Sequence, residues 1–159
     1  MILHSISELN ITKVISTIRL LKSPVGITTS RKDRESWAVV LKLKGKTIYS
    51  AGDQKIISDA LHPVILPKGC SYSWLCTEPG ECIIIEFQAD TTCSKIQSFE
   101  IKNNTRIQNA FSKIDTVLNT KNSYAQIECK YHFMRSIKPL CILFAFVLLL
   151  AGTDVSAQG

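Results

Sequence analysis

Large apolar residues alternate with smaller or polar ones along residues 36–43, and this pattern predicts a β-strand. Trp37, Val39 and Leu41 fall on one face, with Leu43 following them, while polar and small residues occupy the other face. Because a strand with one apolar face is half buried, we expect Trp37, Val39 and Leu41 to point inward.

A β-hairpin is predicted directly after this strand. Lys46 to Ser50 continues as an extended segment, and Ala51-Gly52-Asp53 supplies a tight reversal into Lys55 to Ser58.

The segment from Pro63 to Phe87 predicts further strands and turns. Val64 to Leu66 and Cys82 to Phe87 are apolar and rich in β-branched residues, which favour strands. Pro67-Lys68-Gly69 and Glu78-Pro79-Gly80 contain the residues that end strands and form turns. We therefore read two apolar strands joined through these turns, within a small closed or sandwiched sheet.

Helical spacing replaces this pattern after Phe87. One predicted helical face carries Ile107, Ala110, Phe111, Ile114, Val117 and Leu118. A second carries Tyr124, Ile127, Tyr131 and Met134, with a break marked by Asn119 and Asn122. Sheet first and helices afterwards predicts an α+β or mainly β chain with a helical tail.

The first 30 residues fit either a helix or a strand. Apolar residues recur there at helical spacing, but they are mostly Ile and Val, which also suit a strand. Pro24 and Gly26 end the element in either case.

Length and charge indicate one soluble domain with appendages. The chain has 159 residues, of which 45% are apolar, enough for one ordinary core. Its 19 basic residues exceed its 13 acidic ones, but they are spread along the chain. A solvated basic surface is therefore favoured over a nucleic-acid site.

Six cysteines are present, and we expect them to be buried thiols in a cytoplasmic protein. The N-terminus has no charged start followed by a continuous apolar segment, so it does not have the pattern of an export signal. Cys70, Cys76 and Cys82 are six residues apart, which does not match the close pairs of zinc sites.

The C-terminal segment changes character, because Leu140 to Ala151 is continuously apolar. It is shorter than the ~17 to 25 residues that a membrane helix needs. From Met134 onward the basic start, apolar middle and small-residue end have the order of an export signal. Our first interpretation is a truncation, frame change or gene junction; a buried terminal helix and a tail anchor are the alternatives.

No catalytic motif is found, and the chain is predicted not to be an enzyme. His4, His62 and His132 are far apart in sequence, so neither a metal site nor a cofactor is predicted. No nucleophile elbow, phosphate-binding glycine loop or dinucleotide fingerprint occurs.

The remaining hypothesis is a ligand cavity inside a small barrel. Flat walls and hydrogen-bonding groups are predicted at Trp37, Tyr49, Tyr72 and Trp74. Arg31 or Arg34 is expected to clamp a carboxylate, a phosphate or a sugar hydroxyl.

The order of RKDRESWAVVLKLKGKTIY, a Gly-Asp turn, VILPKGCSYSW and GECIIIEF resembles the N-terminal sensing domain of AraC-type transcriptional regulators. The resemblance implies a mainly β fold, a cupin-like jelly-roll barrel followed by two C-terminal helices and an apolar tail. We divide the chain into an N-terminal arm (1–30), the barrel (31–100), a helical linker or dimerisation region (105–138) and the tail (139–159). Leu61-His62 departs from the family's usual Gly-Asp pair, and the H-x-H motif of metal cupins is missing.

The resemblance also implies a function. The barrel is expected to bind a small effector, a sugar or related metabolite, and the helices are expected to form a homodimer. Arg31 is similar to an effector-contacting arginine of the family, and Tyr72 and Trp74 fall where its aromatic pocket residues occur. Because no helix-turn-helix reader follows the barrel in this sequence, we expect no operator recognition by this chain alone. The alternatives are a small stand-alone cupin enzyme and a membrane-tethered interaction module.

Overall fold

The computed structural model describes residues 10–91, 94–120 and 122–137. Within them, two antiparallel sheets face each other and helices cover the outer side of one sheet. The first sheet has the order β1-β8-β3-β6-β9, made of β1 (Asn10–Leu20), β3 (Trp37–Lys42), β6 (Val64–Leu66), β8 (Cys82–Asp90) and β9 (Gln97–Ser98). The second has the order β2-β7-β4-β5, made of β2 (Thr28–Arg31), β4 (Lys46–Ala51), β5 (Gln54–Ser58) and β7 (Tyr72–Glu78). The helices are α1 (Thr105–Asn119) and α2 (Ala125–Ser136).

Several predicted elements are confirmed. Strand β3 lies where the alternation placed it, and β4 pairs with β5 as the predicted hairpin. Between Pro63 and Phe87, however, the structure has three strands instead of two, because β7 forms between the two predicted turns. Its mixed composition conceals a regular alternation in which Tyr72, Trp74 and Cys76 share one face.

The prediction that Trp37, Val39 and Leu41 point into the barrel is wrong. They face away from the second sheet and belong to a core shared with the helices, which includes Phe111 and Phe133. Every residue of β3 is buried, because the helices cover one face and the second sheet covers the other. A strand covered on both sides tends to be apolar on both sides.

Strand β1 forms one edge of the first sheet and is held there by both helices. Gln126 Nε2 donates to the Val14 carbonyl at 2.9 Å, and the Val14 amide donates to Gln126 Oε1 at 3.0 Å. Thr17 Oγ1 donates to Asp115 Oδ1 at 2.5 Å. Residues 10–20, which we predicted as part of an N-terminal arm, are therefore an integral strand paired with β8.

Both predicted helices are present, but the face predicted for the second one is wrong. Ala125, Cys129 and Phe133 face the core, and the Phe133 ring lies 4.8 Å from that of Phe87. The predicted stripe is exposed and consists of Tyr124, Ile127, Tyr131 and Met134. The helix thus carries two apolar stripes, and the one made of Ala125, Cys129 and Phe133 is the one that is buried.

The turn between β3 and β4 rests directly on the turn between β7 and β8. Gly45 has a φ of +78°, and a Cβ there would collide with the carbonyls of Glu78 and Pro79. A Cβ at Gly80 would collide with the Lys44 carbonyl in the same way. Glycine at both positions thus permits the two backbones to touch.

Predictions for the apolar tail, including Leu140 to Ala151, lie outside the described residues, as do His4, Cys93 and Cys141. In the part of the chain that is described, no helix has the length and apolar character needed to cross a membrane.

Candidate ligand-binding site

A cavity of about 170 Å³ lies between the two sheets. Alternation on each strand decides which side chains reach it, because every second residue of β3, β4, β7 and β8 faces the opposite sheet. The lining residues from these strands are Val40, Lys42, Thr47, Tyr49, Tyr72, Trp74, Cys76, Cys82, Ile84 and Glu86. For comparison, a cavity of about 150 Å³ is large enough to hold benzene.

The opening of the cavity lies beside β1, β2 and the loop between them. Leu20, Pro24, Ile27, Thr29 and Arg31 line the cavity and are exposed to solvent. A ligand therefore has a route past a rim that is apolar except at Thr29 and Arg31.

The structure brings together most of the residues predicted for the site. Arg31, Arg34, Tyr49, Tyr72 and Trp74 all line the cavity. The rings of Tyr72 and Trp74 lie 5.7 Å apart between centroids, and those of Tyr49 and Tyr72 lie 5.8 Å apart. These three rings form one continuous aromatic wall on the second sheet.

Trp37 is the predicted site residue that does not reach the cavity. It lies on the opposite face of β3 and stacks on Phe87, with ring centroids 6.2 Å apart. We predicted Trp37 for the site because we took the wrong face of β3 as the inner one. Trp37 is on the face toward the helices, whereas Ala38 and Val40 are on the face toward the second sheet.

Lys42 is the most unusual residue in the cavity. It is 1% exposed, and its Nζ donates to Ser23 Oγ at 3.4 Å. Among the described residues no carboxylate lies within ion-pair distance of it. Since a buried charge is costly unless it is paired, this ammonium group is suited to an anion that enters the cavity.

Arg34 and Glu86 form a polar cluster at the other end of the cavity. Arg34 is 3% exposed; its Nη2 donates to Glu86 Oε1 at 2.5 Å and its Nη1 donates to the Tyr72 hydroxyl at 3.1 Å. Ser16 Oγ donates to Glu86 Oε2 at 2.9 Å. The Nε of Arg34 is buried and has no partner in the described structure.

The cavity has an excess of positive charge. Lys42, Arg34 and Arg31 contribute three cations, and Glu86 contributes the one carboxylate of the lining. Arg34 is compensated by Glu86, whereas Lys42 is deeply buried and Arg31 stands at the exposed rim. The arrangement therefore favours an anionic guest over a cationic one.

Burial also affects the neutral groups of the cavity. It raises the pKa of Tyr49 above the usual range of a tyrosine, and the nearby Tyr72 adds to the rise. Burial likewise raises the pKa of the Cys82 thiol, although the Lys42 ammonium partly opposes this. Both groups stay protonated near neutral pH, so they act as hydrogen-bonding walls and add no negative charge.

Sequence reasoning missed Lys42 and Glu86 as cavity residues. Lys42 lies on the face of β3 that we assigned to the outside, and no face was assigned to the strand that carries Glu86. The sequence does contain a signal for Lys42. The segment from Trp37 to Leu41 is apolar at every position, as in a strand covered on both sides, and Lys42 continues that strand. Among the described residues no group of three or more His, Cys, Asp or Glu side chains is placed to hold a metal ion.

Comparisons with known proteins place this architecture among cupin-like folds. No protein-family profile and no curated protein sequence matches the chain. A solved structure of ToxT from Vibrio cholerae strain SCE256, described as bound to an unsaturated fatty acid, is 10% identical with a TM-score of 0.52. The alignment covers 94% of this chain and 66% of that one.

Two further structures are similar at lower scores. The AraC-like transcriptional activator CuxR is 9% identical with a TM-score of 0.43, covering 95% of this chain and 64% of that one. A cupin-2 domain protein from Shewanella frigidimarina is 18% identical with a TM-score of 0.36, covering 45% of this chain and 67% of that one.

The cupin-like fold expected from the resemblance is confirmed by the similarity to ToxT. ToxT and CuxR are AraC-family regulators whose N-terminal domain is cupin-like. The chain spans slightly less than two thirds of their length, so it corresponds to a part of these proteins. At such low identity the similarity shows the shared fold.

Proposed function

We propose that this chain is a ligand-sensing regulatory domain, without catalytic activity, that binds a small carboxylate with an apolar body between its two sheets. The observation that carries the proposal is Lys42, a buried ammonium group with no acidic partner among the described residues. A carboxylate that enters the cavity supplies the missing partner and forms a charge-assisted hydrogen bond.

The rest of the lining supports an apolar body on this ligand. Val40, Ile84 and Trp74 contribute carbon surface between the polar ends of the cavity, and Leu66 adds to it at the arginine end. The related fold of ToxT is described with a bound unsaturated fatty acid, which belongs to the same chemical class. The sugar that we expected from the resemblance would need hydrogen-bonding partners along its whole length, and Val40 and Ile84 offer none.

Thermal-shift measurements test this function. Decanoate, its uncharged analogue decanol, and neutral sugars are each added to the protein at increasing concentrations. We expect decanoate to raise the melting temperature by several degrees at saturation, since ligand at about 100 times its Kd stabilises by about 2.7 kcal/mol. Decanol and sugars should act much more weakly.

Two variants make this test specific to the cavity. Lys42→Met removes the cavity ammonium and should abolish the decanoate response. Lys55→Met removes the same charge from an exposed position on β5 and should leave the response unchanged. A decanoate response that survives Lys42→Met would place the binding site elsewhere.

We further propose that α2 mediates self-association of the domain in the cytoplasm. Tyr124, Ile127 and Tyr131 are each more than half exposed on one side of this helix, and Met134 extends the stripe. Sedimentation velocity with Ile127→Glu tests this, because a charge on the stripe should shift a dimer to monomer. A monomeric wild-type protein at high concentration would refute it.

Non-enzymatic function has its own test. Elemental analysis of the purified protein should find no stoichiometric iron, zinc or manganese. A stoichiometric metal whose removal also abolishes ligand binding would instead support a cupin enzyme.

A further inference from the structure

The two polar ends of the cavity are separated along the strands. In the pairing of β3 with β8, Lys42 stands opposite Cys82 and Ala38 stands opposite Glu86. These positions are four residues apart, so their Cα atoms lie about 13 Å apart along the strand. Val40 and Ile84 line the interval between them.

The second sheet follows the same division. Cys76 Sγ contacts the carbonyl oxygen of Ser23, and the Ser23 hydroxyl accepts a hydrogen bond from Lys42. Cys76 therefore belongs to the lysine end. The Tyr72 hydroxyl accepts a hydrogen bond from Arg34, so Tyr72 belongs to the arginine end. The cavity is therefore a slot with an ammonium group at one end and the Arg34–Glu86 cluster at the other.

The arginine end has an unused hydrogen-bond donor. Two nitrogens of the buried guanidinium have partners, but Nε has none in the described structure. A buried donor without an acceptor is costly, and such a group in a cavity is commonly satisfied by something that enters it. Glu86 also has spare acceptor capacity, because each of its oxygens accepts one hydrogen bond in this structure.

Resting on the function proposed above, we infer that the effector is a linear carboxylate with a hydroxyl group near its far end. The carboxylate pairs with Lys42, while the hydroxyl oxygen accepts from Arg34 Nε and its proton is donated to Glu86. A neutral group suits this end because Glu86 already balances the charge of Arg34. A second carboxylate there would be repelled by Glu86.

The length of the slot sets the length of the ligand. An extended chain advances about 1.2 Å per atom, so about ten chain atoms span about 13 Å. Shorter acids reach only one end of the slot, and longer ones must bend or protrude through the opening. The hydroxyl group is therefore useful only within a narrow range of chain lengths.

Isothermal titration with matched pairs of acids tests the inference on the wild-type protein. Each ω-hydroxy acid is compared with the unsubstituted acid of the same length, from about six to about fourteen carbons. We expect the hydroxyl to improve affinity about tenfold for chains near ten carbons and to give no gain for the shortest acids. Equal affinities across the series, with the plain acids binding, would overturn the inference and leave the proposed function intact.

Two further measurements complete the design. Arg34→Lys retains a cation for Glu86 but removes the Nε donor, so it should lower the ratio of affinities between each ω-hydroxy acid and the plain acid of the same length; an unchanged ratio would overturn the inference. If that variant does not fold, the affinity of the wild-type protein for decanedioate is measured instead. Binding of decanedioate as tight as that of 10-hydroxydecanoate, or tighter, would overturn the inference that the far end of the ligand is neutral. Weaker binding of decanedioate supports the inference. If no acid of any length binds, the proposed function itself fails.

Discussion

Replacing Lys42 by methionine should stabilise the ligand-free domain, although the same change should abolish ligand binding. Lys42 is 1% exposed, and within the described residues its ammonium group makes one hydrogen bond, to Ser23 Oγ at 3.4 Å. Methionine has a similar length and fits the apolar surroundings of Val40 and Ile84. The substitution therefore removes a desolvated charge without leaving a large void.

The size of the effect follows from that desolvation. Burial of an ion costs several kcal/mol after relaxation, and replacing buried charges by apolar groups of similar volume stabilises proteins by about 1 to 4 kcal/mol. The opening of the cavity lets water reach part of its interior, which reduces the gain. We expect the free energy of unfolding to rise by about 1 to 3 kcal/mol in Lys42→Met.

Urea denaturation followed by tryptophan fluorescence measures this change. The midpoint should increase while the m-value stays constant, because the variant exposes the same surface on unfolding. Lys55→Met, on the exposed side of β5, should change stability by less than about 0.5 kcal/mol. If Lys42→Met were less stable than Lys55→Met, the ammonium would already be satisfied in the free domain, and the argument for an anionic ligand would lose its basis.

Three further predictions concern the walls and the frame of the cavity. Because burial raises the pKa of Tyr49, only the unfolded state ionises this group above pH ~10, so stability should fall as the pH rises past ~10. In Tyr49→Phe that decline should be smaller in denaturation curves taken from pH 8 to pH 11. Gly80→Ala should cost more than ~2 kcal/mol through backbone collision, whereas Gly52→Ala, with a φ of +56° and open space, should cost about 1 kcal/mol; equal losses would refute the close approach of the turns. Gln126→Leu should cost about 1 to 3 kcal/mol because it leaves both backbone groups of Val14 unpaired, and hydrogen exchange at the Val14 amide should accelerate; unchanged exchange would contradict this role.

Alternation along the chain was sufficient to locate strands, because the period of two is a local property of the backbone. It predicted β3, and the Gly-Asp turn predicted the β4–β5 hairpin. It did not decide which face of β3 is the inner one. Trp37 and Val40 are both buried, and only the position of the helices, which come about 70 residues later, separates core from cavity.

The candidate site shows the same limit. Arg31, Tyr49, Tyr72 and Trp74 were predicted from residue type and resemblance, and the structure brings all four to one cavity. Lys42 was treated as a surface residue because a lysine is rarely buried, and the apolar run that precedes it was not used as a signal. Its surroundings come from distant parts of the chain, among them the β1–β2 loop, where Ser23 accepts its hydrogen bond from 19 residues away.

A crystal structure of the domain with decanoate tests the central claim most directly. The account predicts that the carboxylate lies between the two sheets, about 3 Å from the Lys42 ammonium nitrogen, with the alkyl chain along Val40 and Ile84 toward Arg34. Decanoate bound on the outer surface or against the helices, with Lys42 still without an anion, would contradict it.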